Sequence, residues 1–252
     1  MGKLENKICF IIAHKYFKGY ESYLKYYIDN IFSFYENPLV LVVDNNSPNK
    51  DEVFNAIKND NVIFLENKIE CKFELGAYQV GIDYLKQNNL INSYDYYILS
   101  QDTYVIKNKF DFNELKSNNI NAASIIGLHN DWSKMDVAGP VLEKLNLLND
   151  LDEIYLCWCN SFVVSNTVLF DLQRYLQQII IKTRHESEAS ERYLGRILFE
   201  LNNHKNYAID GRNNSFIVDE RHYDCHNVDV YANMDKYFCK RAQQKNERTI
   251  EK

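Results

Sequence analysis

Short apolar runs that close abruptly in polar turns, with helical spacing between them, constrain this chain more than any other feature. Ile8-Cys9-Phe10-Ile11-Ile12-Ala13, Leu39-Val40-Leu41-Val42-Val43 and Tyr96-Tyr97-Ile98-Leu99 are apolar without alternation, as in strands covered on both faces. Between the first two, Tyr20, Tyr23, Leu24, Tyr27, Ile28, Ile31 and Tyr35 recur at the spacing of one helix face. A short helix with Val53, Phe54 and Ile57 inward follows the second run, and residues 62–65 read as a further strand. Leu75, Ala77, Tyr78, Val80, Tyr84 and Leu85 then describe another helix. Strands alternating with helices at this spacing predict βαβ units, hence a mostly parallel sheet with right-handed crossovers.

The expected class is therefore α/β, Rossmann-like, with helices flanking the sheet. In such sheets ligands collect outside the carboxyl ends of the strands. The polar segments that begin at His14, Asp44 and Ser100 all follow strand ends. The second half is less regular. Residues 122–128 and 155–164 read as strands, the latter interrupted by Asn160, and 167–181 and 188–201 as helices. Tyr207-Ala208-Ile209 is expected to return to the sheet, with a peripheral helix and a loose end beyond Val230. With 8 Gly and 3 Pro among 252 residues, no linker is evident. A single domain over 1–252 is expected: a sheet-building half over about 1–110, a second half over about 111–230, and a tail over 231–252.

The formal net charge is −6, and the only basic block is a mixed tail over 240–252. A general nucleic-acid binder needs a positive face to neutralise phosphates, so that class is demoted. Local cations or one metal ion could still neutralise a phosphorylated ligand. The polar start and the short run at 8–13 suit neither a signal peptide nor a membrane span. Cys157-Trp158-Cys159 has the wrong spacing for a zinc ribbon or a thioredoxin-like site. A cytoplasmic protein with structural thiols and no membrane span is the expectation.

Leu41-Val42-Val43-Asp44-Asn45-Asn46-Ser47 resembles the "VVDNNS" element of nucleotide-sugar glycosyltransferases of the GT-A fold, especially family-2-like inverting enzymes. Ile8 to Ala13 is similar to their first strand. Glu74-Leu75-Gly76-Ala77-Tyr78-Gln79-Val80-Gly81 resembles their "GGaxaxN" helix, and Ser100-Gln101-Asp102-Thr103 stands where their acidic "DxD" element falls. The likeness covers about the first 110 residues. It implies a nucleotide-diphosphate sugar donor (UDP-, GDP- or dTDP-linked) bound near Ala13, His14, Asp44, Gly76, Gln79, Gln101 and Asp102. Asp44 would accept hydrogen bonds from base or ribose, and Asp102 would hold a divalent cation, Mn²⁺ or Mg²⁺, at the diphosphate. The acidic element is reduced here to one carboxylate and one amide, so a weaker metal site, a ligand from elsewhere such as His222 or His226, and metal independence all stay open.

An inverting transfer needs a carboxylate base beside the acceptor hydroxyl. The resemblance implies a base near the start of a late helix, which makes Glu191 the first candidate and Glu188 the second. Acidic residues there also suit a helix dipole without any catalytic task. Trp132, Asp136 and Asn160 are candidates for binding a glycan or glycoconjugate acceptor, since sugar C–H faces pack on aromatic rings. Asp44 could equally cap the next helix, and Gly76 could merely permit a tight turn. A non-catalytic nucleotide-sugar-binding relative and a sugar nucleotidyltransferase are the competing readings. The latter lacks its Gly-rich opening here.

Overall fold

A computed structural model describes residues 6–15, 21–48, 50–106, 108–128, 131–148, 154–209 and 238–240. The first half alternates as expected: β1 (Ile8–His14), α1 (Glu21–Phe34), β2 (Leu39–Asp44), α2 (Lys50–Asn55), β3 (Val62–Glu66), α3 (Phe73–Gln87) and β4 (Tyr96–Gln101). There follow β5 (Tyr104–Ile106), α4 (Asn113–Ser117), β6 (Ala122–Ser124), β7 (Gly127–Leu128), α5 (Met135–Lys144), β8 (Leu156–Cys157), β9 (Phe162–Ser165), α6 (Leu169–Leu176), α7 (Arg184–Leu201) and β10 (Phe238–Lys240).

Six strands form one sheet in the order β3-β2-β1-β4-β9-β6. The pairs β3-β2, β2-β1 and β1-β4 are parallel, whereas β9 runs antiparallel to both its neighbours. The sheet is thus mixed but mostly parallel, compatible with a Rossmann-like fold. Side chains of a strand alternate between faces, so each strand feeds two cores. Phe10, Ile12, Val40, Val42 and Ile98 pack under α1 and α2, with Tyr27, Ile31 and Val53. Ile11, Leu41, Val43 and Leu99 pack under α3, α5, α6 and α7, with Leu75, Ala138, Leu172 and Leu194. The chain steps outward from β1 to β3 and then returns to lay β4 on the other side of β1. A right-handed crossover in that reversed direction puts α3 on the opposite face from α1 and α2.

The second half departs from expectation in identifiable places. The interruption expected at Asn160 within 155–164 is a full break: a 3₁₀ turn at Trp158–Asn160 separates β8 from β9. The helix expected over 167–181 ends at Leu176. The helix expected to open at Glu188 opens instead at Arg184. Thr183 receives the Glu186 N–H while the Glu186 carboxylate accepts the Thr183 N–H, a reciprocal cap that starts the helix a turn early. Tyr207 and Ile209 flank Ala208, which bridges Ser124 in parallel fashion, so the expected return to the sheet is one bridge. Part of the expected peripheral helix is a strand: residues 238–240 pair antiparallel with β5. The rest of the tail, and His222 and His226, lie outside the described residues.

Candidate functional site

The point where the strand order reverses lies between β1 and β4, and in open α/β sheets this is where ligands bind, outside the carboxyl ends. Strand register builds a polar row there. Asp44 pairs with Glu66 on one side and with His14 on the other, and the Ala13–Gln101 pairing leaves Asp102 beside His14. By alternation from Ile12, Val42 and Ser100, His14, Asp44 and Asp102 project toward the α1 and α2 face.

Each member of the row is held. Asp44 is fully buried. Its carboxylate accepts the Ser47 N–H at 2.8 Å and the Ser47 hydroxyl, so it closes the 44–47 turn and does not cap α2, which begins at Lys50. His14 is buried, and its Nδ1 lies 2.6 Å from Asp102 Oδ2. The same oxygen accepts the Lys15 N–H at 3.3 Å, and the Ala13 carbonyl accepts the Asp102 N–H at 3.2 Å. Among the described residues His14 Nε2 has no hydrogen-bond partner, although it is buried. The Lys15 ammonium donates to the carbonyls of Asn45 and Asn46, both at 3.2 Å, and adds positive charge beside the row.

Gln101 belongs to the opposite face and to a second polar group. Its amide donates to Glu74 in the first turn of α3 at 2.6 Å. The other Glu74 oxygen accepts the Ser187 hydroxyl of α7 at 2.9 Å and the Asn160 amide at 3.5 Å. Asn160 is buried and fixed three further ways: Ser190 donates to its side-chain oxygen, Tyr78 donates to its carbonyl, and its amide reaches the Ser187 carbonyl. Asn160 and Cys159 both have positive φ, 52° and 53°, a strained pair of the kind that persists only when surroundings over-determine it. Glu74 thus ties the end of β4 to the start of α7. Sequence reasoning missed both Glu74 and Ser187; a carboxylate one residue before an apolar helical stripe was the only signal.

The two base candidates differ. Glu191 accepts the Cys159 N–H at 2.9 Å, and its other oxygen lies 3.6 Å from the Arg192 guanidinium. Glu188 pairs with Lys134 and, at 2.9 Å, with Arg184; the Lys134 ammonium foremost holds its carboxyl below the usual range. Neither opens α7: Glu191 lies more than two turns from Thr183. Arg192, 4% exposed, donates to Asp131 at 2.5 Å, to the Ser133 hydroxyl at 2.7 Å and to the Ser133 carbonyl at 2.9 Å. It fastens to α7 the loop that presents Trp132, which is 47% exposed. Asp136 is exposed in the first turn of α5.

Gly76 and Gln79 carry packing. A Cβ on Gly76 would overlap the Cys71 carbonyl oxygen, so glycine lets α3 press on the 67–71 loop. The Gln79 amide donates to the carbonyls of Leu176 and Ile179 at 2.8 and 3.2 Å, satisfying the end of α6.

Comparison of the chain with protein-family models finds no match, and none of the curated proteins matches it in sequence. Among the described residues no helix is long and apolar enough to cross a membrane.

Proposed function

We propose that this chain is a glycosyltransferase of GT-A type, moving a sugar from a nucleotide-diphosphate donor to a hydroxyl of a glycan or glycoconjugate, in the cytoplasm. The observation that carries this reading is the row His14–Asp44–Asp102 at the reversal point of the sheet, on the very segments that resemble the donor-binding elements. The Glu74–Gln101–Asn160–Ser187 group supports it from the other face, because it joins the donor-side strand to the half that would meet the acceptor.

In this proposal Asp44 orients the nucleoside, and Lys15 adds positive charge near the departing diphosphate. The acceptor oxygen attacks the anomeric carbon as the bond from that carbon to the diphosphate oxygen breaks. A carboxylate takes the proton released from the acceptor. Glu191 is the better base of the two, since the cations on Glu188 lower its appetite for a proton. The sugar of the acceptor would pack on Trp132.

Among the described residues, the donor set near the diphosphate fits a protein-held divalent cation poorly. Hard cations take several carboxylate or carbonyl oxygens, whereas one Asp102 oxygen is already filled by His14 and Lys15 and the Gln101 amide is turned to Glu74. No step is therefore routed through a metal. The deciding experiment incubates the purified chain with UDP-, GDP- and dTDP-sugars, with and without Mn²⁺. Release of nucleoside diphosphate is expected; release of pyrophosphate from a nucleoside triphosphate and sugar phosphate would make it a nucleotidyltransferase instead. Tight donor binding with no turnover would leave a binding relative.

A further inference from the structure

Resting on the nucleotide-binding reading above, we infer that Asp102 acts through His14, and that His14 Nε2 is the atom that meets the ligand, accepting a hydrogen bond from a nucleoside hydroxyl or base N–H. A carboxylate oxygen 2.6 Å from Nδ1 can only accept, so Nδ1 is the nitrogen that carries the proton. In the neutral imidazole this inference assigns to His14, the other ring nitrogen bears the lone pair. That lone pair is buried and unpartnered among the described residues, a condition buried polar atoms rarely keep unless something arrives to satisfy them.

The chemistry of that something is constrained. The diphosphate of a nucleotide sugar carries no proton at neutral pH, so its oxygens only accept and give nothing to a lone pair. Ribose hydroxyls and base imino or amino groups are donors and do. The position agrees: His14 stands in register with Asp44, the proposed nucleoside ligand, in the adjacent strand. The Phe54 ring, 6.2 Å away between centroids, bounds the imidazole on the α2 side. Lys15 N–H and His14 Nδ1–H together fill Asp102 Oδ2, which keeps the carboxylate from turning. Asp102 is a positioning residue in this scheme and not a cation ligand.

Nitrogen NMR of the full chain labelled at histidine reads the arrangement directly, with His14 signals assigned by their loss in His14→Gln. The free protein should show the proton on Nδ1 and the lone pair on Nε2. Saturating uridine, guanosine or thymidine should move the Nε2 signal for at least one of the three, while inorganic pyrophosphate should not. Asp102→Ala should scramble the two proton positions and weaken that nucleoside roughly tenfold, the worth of about one well-oriented hydrogen bond. A proton on Nε2, protons on both nitrogens, a response to pyrophosphate or Mn²⁺ in place of nucleosides, or no response to any probe each overturns the inference. A chain that turns over no nucleotide sugar yet shows the nucleoside response keeps this inference and loses the transferase reading. Turnover with Nε2 indifferent to nucleosides does the reverse.

Discussion

Glu191 reaches from α7 to accept the backbone N–H of Cys159 at 2.9 Å, and Cys159 and Asn160 are consecutive non-glycine residues in the left-handed region. One carboxylate therefore both secures a strained turn and remains the leading base. Two substitutions separate the roles. Glu191→Gln keeps an oxygen for the N–H, so its melting temperature should stay near the parent's while transfer falls by about 10²–10⁴-fold. Glu191→Ala should in addition destabilise by about 1–3 kcal/mol through an unpaired donor. A stable Glu191→Gln protein with parental turnover assigns Glu191 to the turn alone, and Asp131 and Asp136 beside Trp132 become the next bases to test.

Asp44→Ala removes both acceptors from Ser47, and both residues are buried. A loss of about 1–3 kcal/mol in urea unfolding is expected, with donor affinity falling further than that destabilisation accounts for. Asp44→Asn retains an acceptor for Ser47 and should recover most of the stability. Calorimetric titration of this folded variant isolates the contribution of charge to nucleotide binding; unchanged affinity would leave Asp44 a turn residue.

Acid stability has a defined sign. The Lys50 and Lys68 ammonium groups pull Glu66 down to about 2, Lys134 and Arg184 lower Glu188, and the N–H groups of Lys182 and Thr183 lower Glu186. Folded values below unfolded ones mean that the native state binds fewer protons, so these contributions are complete above the unfolded carboxylate value of about 4.3. They are lost as pH falls through each folded value, down to about 2 for Glu66. Urea midpoints should be flat above that range and drop below it, with a shallower drop for Glu188→Gln.

Two glycines should respond differently to alanine. A Cβ on Gly195 would overlap the Tyr155 carbonyl oxygen, a backbone atom that cannot step aside. Gly195→Ala should cost about 1–3 kcal/mol or more as α7 is pushed off β8. On Gly139, inside α5, a Cβ would meet nothing closer than Met135 Cε at 4.0 Å. Gly139→Ala gains about 0.5–1 kcal/mol of backbone entropy, which the clash of its Cβ with the ring of Pro140 offsets, so little net change is expected. Thermal melts of the pair check both.

The parallel half was legible because its signals are local. Runs such as residues 39–43 are apolar on both faces and end in Asp-Asn-Asn-Ser, so strand, turn and direction of the edge follow from neighbouring residues alone. At Trp158–Asn160 the interruption was legible from polar Asn160 inside an apolar run, but its left-handed geometry was not. Its left-handed pair is held by Glu191, Ser190 and Tyr78, residues remote in sequence, whose bonds override the β-propensity of the segment. The early start of α7 was readable in principle from Thr183 and Glu186, which form a capping box at the proper spacing.

Periodicity and composition alone determine that the chain is α/β, that His14, Asp44 and Asp102 fall at strand ends, and that the net charge is −6. They cannot determine which side chains meet. Register between strands separated by dozens of residues brings Nδ1 of His14 onto Asp102, and the reversal of strand order after β3 sends Gln101 to Glu74 on the other face. Such pairings are long-range because they depend on how crossovers stack over the sheet, and residues far apart in the chain acquire a common neighbourhood only after that packing is complete.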